Sequence, residues 1–363
     1  MTQRRISPHE LEVEELDKEL IRRGAQVAGE KRFMFSDKEG TPQRDAVVSG
    51  AGKIYEHTPP PNEALAYIST WDLARIIKIK TSTHSLTCVR GSGYADLMDW
   101  YEIGPGPGDG WEKIKQNAGC TAAVCFRDQL IDTGQGAFIL NVKNYGKTFN
   151  LCQIEPFRHQ PIAAGKMCSG FLVEDDVIAT AGHVINENNV TDLRFIFGFA
   201  MMDSVTPVTK FPRADMYRGV KIIHRLPGPG KAGEEDMVLV RLDCKVAGRA
   251  AAELSKQEIS KDQAVYVTGY PLGLPLKYDG GGTVQTVHGN HFTAGLNVYG
   301  SSPGSPVFDW DSHEVTGIVG KSGQMNFRWT GKGWMSVIYP GSRGSESGGV
   351  FCHGVSKLVE MID

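Results

Sequence analysis

The sequence predicts a mainly β protein, a sandwich or barrel, preceded by a mixed N-terminal region and closed by a short helix. Three observations predict it. Between residues 122 and 320 the runs AAVCF, GAFILNV, CSGFLV, DVIATA, RFIFGF, DMVLVRL, AVYVTGY, SPVFDW and EVTGIVG recur as short β-rich stretches parted by turn residues. The 43 glycines among 363 residues, about 12% against an average near 7%, follow no collagen-like period and suit many turns. Helical periodicity is confined to segments outside that region.

The elements follow in order. Ser7-Pro8-His9-Glu10 reads as an N-cap, a proline at the first helical position and a capping-box glutamate, with Val13, Leu16 and Leu20 on one face and Gly24 as the stop. A second helix is expected over 63–78, where Leu65, Ile68, Leu73 and Ile76 supply packing surface. The segment GPGPGDG at 104–110 alternates residues that remove donors and cost backbone entropy, so it reads as the linker between an accessory region, 1–111, and a main domain, 112–363. The β runs then fill the main domain, and Val355, Leu358 and Ile362 share one face of a terminal helix.

Composition narrows the function. With 39 basic and 42 acidic side chains the net charge is -3, which gives no reason to expect nucleic acid or an acidic membrane face as partner. No apolar run approaches the roughly 20 residues of a membrane helix, and the first residues lack a signal-peptide core. Seven widely spread cysteines favour reduced thiols and a cytoplasmic setting, with Cys152–Cys352 and Cys120–Cys125 as the pairings left open.

Three segments carry chemistry. Thr180-Ala181-Gly182-His183 sets a histidine at the end of an apolar strand, where an imidazole serves as general base. Asp236 stands at the mouth of a second strand, MVLVRL, where a carboxylate orients an imidazole, with Glu235 as fallback. Gly300-Ser301-Ser302-Pro303-Gly304-Ser305-Pro306-Val307-Phe308 is a turn feeding a strand, able to present a hydroxyl and backbone N–H donors together. His, Asp and Ser in that order form a triad arrangement.

These motifs resemble the trypsin-like (chymotrypsin-fold) serine peptidases, particularly bacterial members with a GNSGSPVF-type nucleophile loop. TAGH is similar to their histidine motif, DMVLVRL to their aspartate strand and GSPVF to their serine loop, with further likeness at Cys168-Ser169-Gly170-Phe171 and Gly269-Tyr270-Pro271-Leu272-Gly273. The resemblance covers residues 112–363 and implies two six-stranded antiparallel barrels with an N-terminal α/β extension and a C-terminal helix. It also implies a serine endopeptidase acting on a protein or peptide substrate through His183, Asp236 and Ser302, without a cofactor or metal. Ser302 and Gly300 would supply the oxyanion hole. Val319, Gly320 and Lys321 would pair with substrate backbone, and Leu296 and Asn297 would floor the specificity pocket, where no acidic residue argues for cleavage after Arg or Lys.

Two departures stand out. Aligned without gaps, the family's nucleophilic serine falls on Pro303, which has neither hydroxyl nor backbone N–H, and the chain would be an inactive pseudoprotease that binds peptides or proteins. If Pro303 is an insertion, Ser302 keeps both groups and cuts; Ser305 is a third candidate. Val184 stands where many relatives carry a cysteine that bridges to the position of Cys168.

The remaining motifs carry less. His288 and His291 in a Gly-rich turn lack a third ligand and read as a surface turn, not zinc. Gly280-Gly281-Gly282 lacks the strand-loop-helix context of a phosphate cradle. Residues 1–111 carry no chemical motif and read either as packing or as a docking module where a regulatory partner restrains the peptidase.

Overall fold

Twelve strands divide into two barrels of identical connectivity. A computed structural model describes residues 11–23, strand segments within 25–47, scattered positions between 62 and 77, then 97–103, 110–152, 155–226, 235–296, 302–320, parts of 327–336, and 349–362. The first barrel comprises β1 (Thr121–Phe126), β2 (Met167–Glu174), β3 (Val177–Ala181), β4 (Leu193–Phe197), β5 (Met216–Arg225) and β6 (Met237–Leu242). The second comprises β7 (Ala264–Gly269), β8 (Lys277–His288), β9 (His291–Ala294), β10 (Pro306–Asp309), β11 (Val315–Val319) and β12 (Val350–Gly354). Cyclic order is β1-β2-β3-β6-β5-β4 in one and β7-β8-β9-β12-β11-β10 in the other, with neighbours antiparallel and both rings closed. The two-barrel fold expected from the sequence is the fold observed.

Burial explains which strands are readable. In β1, Ala122 and Val124 point into a core with Phe171 and Phe195, while Ala123 and Cys125 meet Ile196 and Phe199 on the other face. A strand covered on both sides becomes a continuous apolar run. Likewise Val265 and Val267 of β7 enter the second core with Phe292, Leu296, Val307 and Cys352, while Tyr266 between them stacks on Phe308 at 4.9 Å in the cluster shared with the first barrel. By contrast β5, β8, β9 and β12 were not expected. In β5 and β9 exposed or half-buried positions interrupt the buried ones, and in β8 the triple glycine looks like a break.

That triple glycine is a bulge within a strand. Val265 pairs with Gly282 but Val267 with Asp279, so Gly280 and Gly281 together oppose Tyr266. A Cβ on Gly282 would lie 2.3 Å from Leu296 Cδ2, which fixes glycine there by packing.

The N-terminal region is mixed, as expected, with one boundary moved. Helix α1 (Val13–Arg22) begins after Leu11 and Glu12, not at Ser7, and the anticipated capping box at residues 7–10 lies outside the described residues, as does Gly24. Glu12 carbonyl accepts the first turn's amides from Glu15 and Leu16, and Leu11 packs on the cluster holding Leu16, a hydrophobic staple in place of a polar cap. Three short strands, Ala25–Ala28, Arg32–Phe35 and Arg44–Val47, form an antiparallel sheet. Leu16 and Leu20 bury against Leu65, Ile68, Leu73, Ile76 and Ile77; Asp72, Leu73, Ile76 and Ile77 are helical, and most of 63–78 lies outside the described residues.

Positions 104–109 of the expected linker also lie outside the described residues. The residues before it belong to the second barrel's sheet: Met98–Asp99 adds a strand beside β8, with Asp99 opposite Lys277. Lys277 Nζ meets Asp99 Oδ1 at 2.5 Å and Gln160 Oε1 at 2.7 Å, both acidic and basic side chains 1% exposed. Asp72 adds a second tie, accepting the Phe157 amide at 2.9 Å. After the linker, α2 (Trp111–Gly119) leads into β1, and α3 (Ser356–Ile362) closes the chain as expected, with Val355 and Leu358 buried.

The six described cysteines are all free thiols, so neither Cys120–Cys125 nor Cys152–Cys352 is bridged. Cys120 just precedes β1 and Cys125 lies within it, and they bury in different clusters, which keeps their sulfurs apart. Among the described residues no helix is long and apolar enough to cross a membrane.

Candidate active site

The ladder between β3 and β6 builds the central pair. Ala181 lies opposite Met237, so the residues just beyond, Gly182-His183 on one chain and Asp236 on the other, meet where the ladder ends. Gly182 and His183 turn into a short 3-10 helix after β3. The Gly182 amide donates to the Asp236 carbonyl at 3.2 Å, the His183 amide to Asp236 Oδ1 at 2.7 Å, and His183 Nδ1 lies 2.5 Å from Asp236 Oδ2. One carboxylate therefore fixes both the backbone and the ring of the histidine. With Nδ1 engaged, Nε2 is the nitrogen left for proton exchange.

Asp236 is 4% exposed and His183 side chain 30% exposed. Burial pushes the Asp236 carboxyl upward, but the His183 ring and amide hydrogen bonds outweigh it and hold the group below the usual carboxylate range. Glu235 is no substitute: both its oxygens receive Asn290 Nδ2, at 2.8 and 3.1 Å.

The serine loop is clamped against the same strand end. Pro303 carbonyl accepts the Ser169 amide at 3.1 Å, the Gly304 amide donates to Val319 carbonyl at 2.8 Å, and the Ser305 amide donates to Ser302 carbonyl at 3.1 Å. Gly304 has φ +84°, and a Cβ there would lie 2.2 Å from both Ser169 carbonyl and Thr180 Oγ1. Only glycine fits that close approach beside β3.

Within this loop Ser302 is 2% exposed and its Oγ makes no hydrogen bond among the described residues, to His183 included. Ser305 Oγ is likewise buried and unpaired, pressed onto Gly269, where an added Cβ would lie 2.1 Å from it. The structure thus joins His183 to Asp236 and leaves Ser302 unjoined.

The anticipated binding residues fall differently. Val319 is 1% exposed and its backbone is already paired, amide to Ser305 carbonyl and carbonyl from the Gly304 amide, so it offers no free edge to an added strand. The Gly320 amide donates to Phe351 carbonyl. Leu296 is 2% exposed and packs in the second core against Gly282. Gly300, Asn297 and Lys321 lie outside the described residues.

Residues 168–318 match the trypsin-like peptidase domain family. The matched span runs from β2 through β11 and includes His183, Asp236 and Ser302. Among solved structures the chain is similar to the scabies mite inactivated protease paralogue S-I1, at 12% identity and a TM-score of 0.39, covering 68% of this chain and 93% of that one. No curated protein matches it by sequence.

One group beside this site has no signal in the sequence. Glu235, His291 and His353 converge, each offering a ligand atom within 4.8 Å of the others. Burial, then the neighbouring His291, pushes His353 down to about 4, while Asp236 acts in the opposite sense. In the sequence His291 groups with His288 in a turn, and His353 sits in β12, a strand that declares itself by no apolar run.

Proposed function

We propose that this trypsin-like domain binds protein or peptide chains beside His183 without cleaving them, because the position of the nucleophile is held by Pro303. One observation carries the reading: Ser302, the hydroxyl next to Pro303 in the chain, is 2% exposed and without a hydrogen bond among the described residues, whereas a nucleophile needs contact with both solvent-borne substrate and the imidazole. The gap-free alignment agrees, since Gly304, Ser305 and Pro306 then fall on the family's own residues and no insertion has to be accommodated in a loop clamped at Ser169, Thr180 and Val319. A proline at this point removes the hydroxyl and one oxyanion donor together.

A second reading, hydrolysis by Ser302, draws support from the assembled His183–Asp236 pair, which keeps the geometry of a general base. In that mechanism Ser302 Oγ attacks the substrate carbonyl as its proton passes to His183 Nε2; the proton then goes to the leaving amine, and water repeats the sequence on the acyl-enzyme.

Fluorophosphonate labelling with peptide mapping separates the two. The native chain is expected to stay unlabelled, Pro303→Ser to be labelled at position 303, and Pro303→Ser combined with His183→Ala to lose that label. Labelling of the native chain at Ser302, abolished by Ser302→Ala, would overturn the binding reading.

A further inference from the structure

We propose that Glu235, His291 and His353 form a binding site for a divalent transition-metal ion of the zinc class, clasping the two barrels behind the His183–Asp236 pair. The inference goes beyond the binding function and does not depend on whether Ser302 attacks. Glu235 lies just before β6 of the first barrel, His291 opens β9, and His353 lies in β12 of the second, directly opposite His291 in the ladder. Two imidazoles and a carboxylate are the donor set that zinc takes at tetrahedral sites with one open position.

The geometry supports a ligand here in three ways. First, His291 Nε2 and His353 Nδ1 are both buried without a hydrogen-bond partner among the described residues, and His353 is 2% exposed. Two orphan ring nitrogens in one cluster are costly unless something fills them. Second, the ligand atoms lie within 4.8 Å of one another, and a tetrahedral zinc needs them roughly 3.4 Å apart, so side-chain rotation of about an ångström closes the site.

Third, the cluster has supporting contacts. Asn290 Nδ2 donates to both Glu235 oxygens and to Gly354 carbonyl, while Asn290 Oδ1 accepts the Ser356 hydroxyl at 2.6 Å. The carboxylate is thus oriented across the barrel boundary with lone pairs to spare. Phe351 stacks on His291 at 5.4 Å and meets His353 edge-on at 5.1 Å, holding both rings in an apolar wall. Outer contacts of this kind orient ligands and typically matter 10- to 100-fold in affinity.

The test uses the full-length chain stripped with chelator and dialysed, titrated with Zn2+ by calorimetry and with Co2+ by visible absorption. The expected result is one ion per chain, Co2+ d–d bands of a tetrahedral nitrogen and oxygen site, and a rise in Tm with Zn2+. His291→Gln and Glu235→Gln, checked for native circular dichroism, are each expected to weaken binding at least about tenfold. His288→Gln and His183→Ala are expected to retain it. The proposal is overturned by no binding to the folded chain, by binding that survives both ligand variants, by loss in His183→Ala, or by a thiolate charge-transfer band.

Discussion

Ala181 and Met237 face each other at the end of the β3–β6 ladder, and that single register carries His183 onto Asp236. A slip of one residue would turn Asp236 to the opposite face of the sheet and separate the pair. The carboxylate is part of the ladder's termination as much as of any chemistry, since it receives the His183 amide as well as the ring.

Asp236→Ala should therefore cost stability even in a chain that does not cut. It leaves a buried amide and an imidazole nitrogen unpaired, a loss of about 2–4 kcal/mol, read as a lower urea midpoint. The pH dependence has a defined sign. Because the folded carboxyl titrates below its ordinary value of 3.8, its contribution is fully present above that value and is lost as pH falls through the folded pKa. Acid unfolding of the native chain should steepen there relative to Asp236→Asn.

Gly304→Ala tests the clamp on the serine loop. The positive φ disfavours any side chain, and the new Cβ would meet Ser169 carbonyl and Thr180 Oγ1 at 2.2 Å, both inside the first barrel. Strain and overpacking together should cost about 2–4 kcal/mol. An unchanged denaturation midpoint would mean that the loop moves freely, and would weaken the argument that Ser302 is locked in place.

How much was legible follows from these contacts. His183 and Asp236 could be read because each ends a strand buried on both faces, and such strands declare themselves as apolar runs. The serine loop could be read as a loop, but not the burial of Ser302, since the neighbouring Pro303 and Gly304 are held by Ser169 and Thr180, more than 120 residues earlier, and by Val319. Leu296, which the resemblance implies at a pocket floor, packs in the second core where Gly282 leaves it space, a packing no local pattern announces. The Glu235–His291–His353 group had no spacing signature because each ligand comes from a different element.

Thiol reactivity offers a check on the free cysteines. Burial pushes Cys120 and Cys168 up to about 12, so at pH 8 only on the order of one in 10,000 is thiolate, whereas Cys244 is exposed. Brief alkylation of the folded chain at that pH should modify Cys244 and spare Cys120, Cys125, Cys168 and Cys352, with all becoming reactive in denaturant. Rapid native modification of Cys168 would show that β2 opens locally.

The tie between the N-terminal region and the second barrel yields the last prediction. Lys277 is buried with Asp99 and Gln160 and lies over the Phe157 ring at 4.6 Å, with its side chain 1% exposed. Asp99→Ala removes the carboxylate that Lys277 Nζ contacts and should cost about 3–5 kcal/mol. Lys277→Met paired with Asp99→Leu removes both charges while keeping apolar volume, and should recover most of the loss. If Asp99→Ala and the double variant unfold at the same denaturant concentration, the cost lies in displaced packing of Met98–Asp99 against β8 and not in the uncompensated charge.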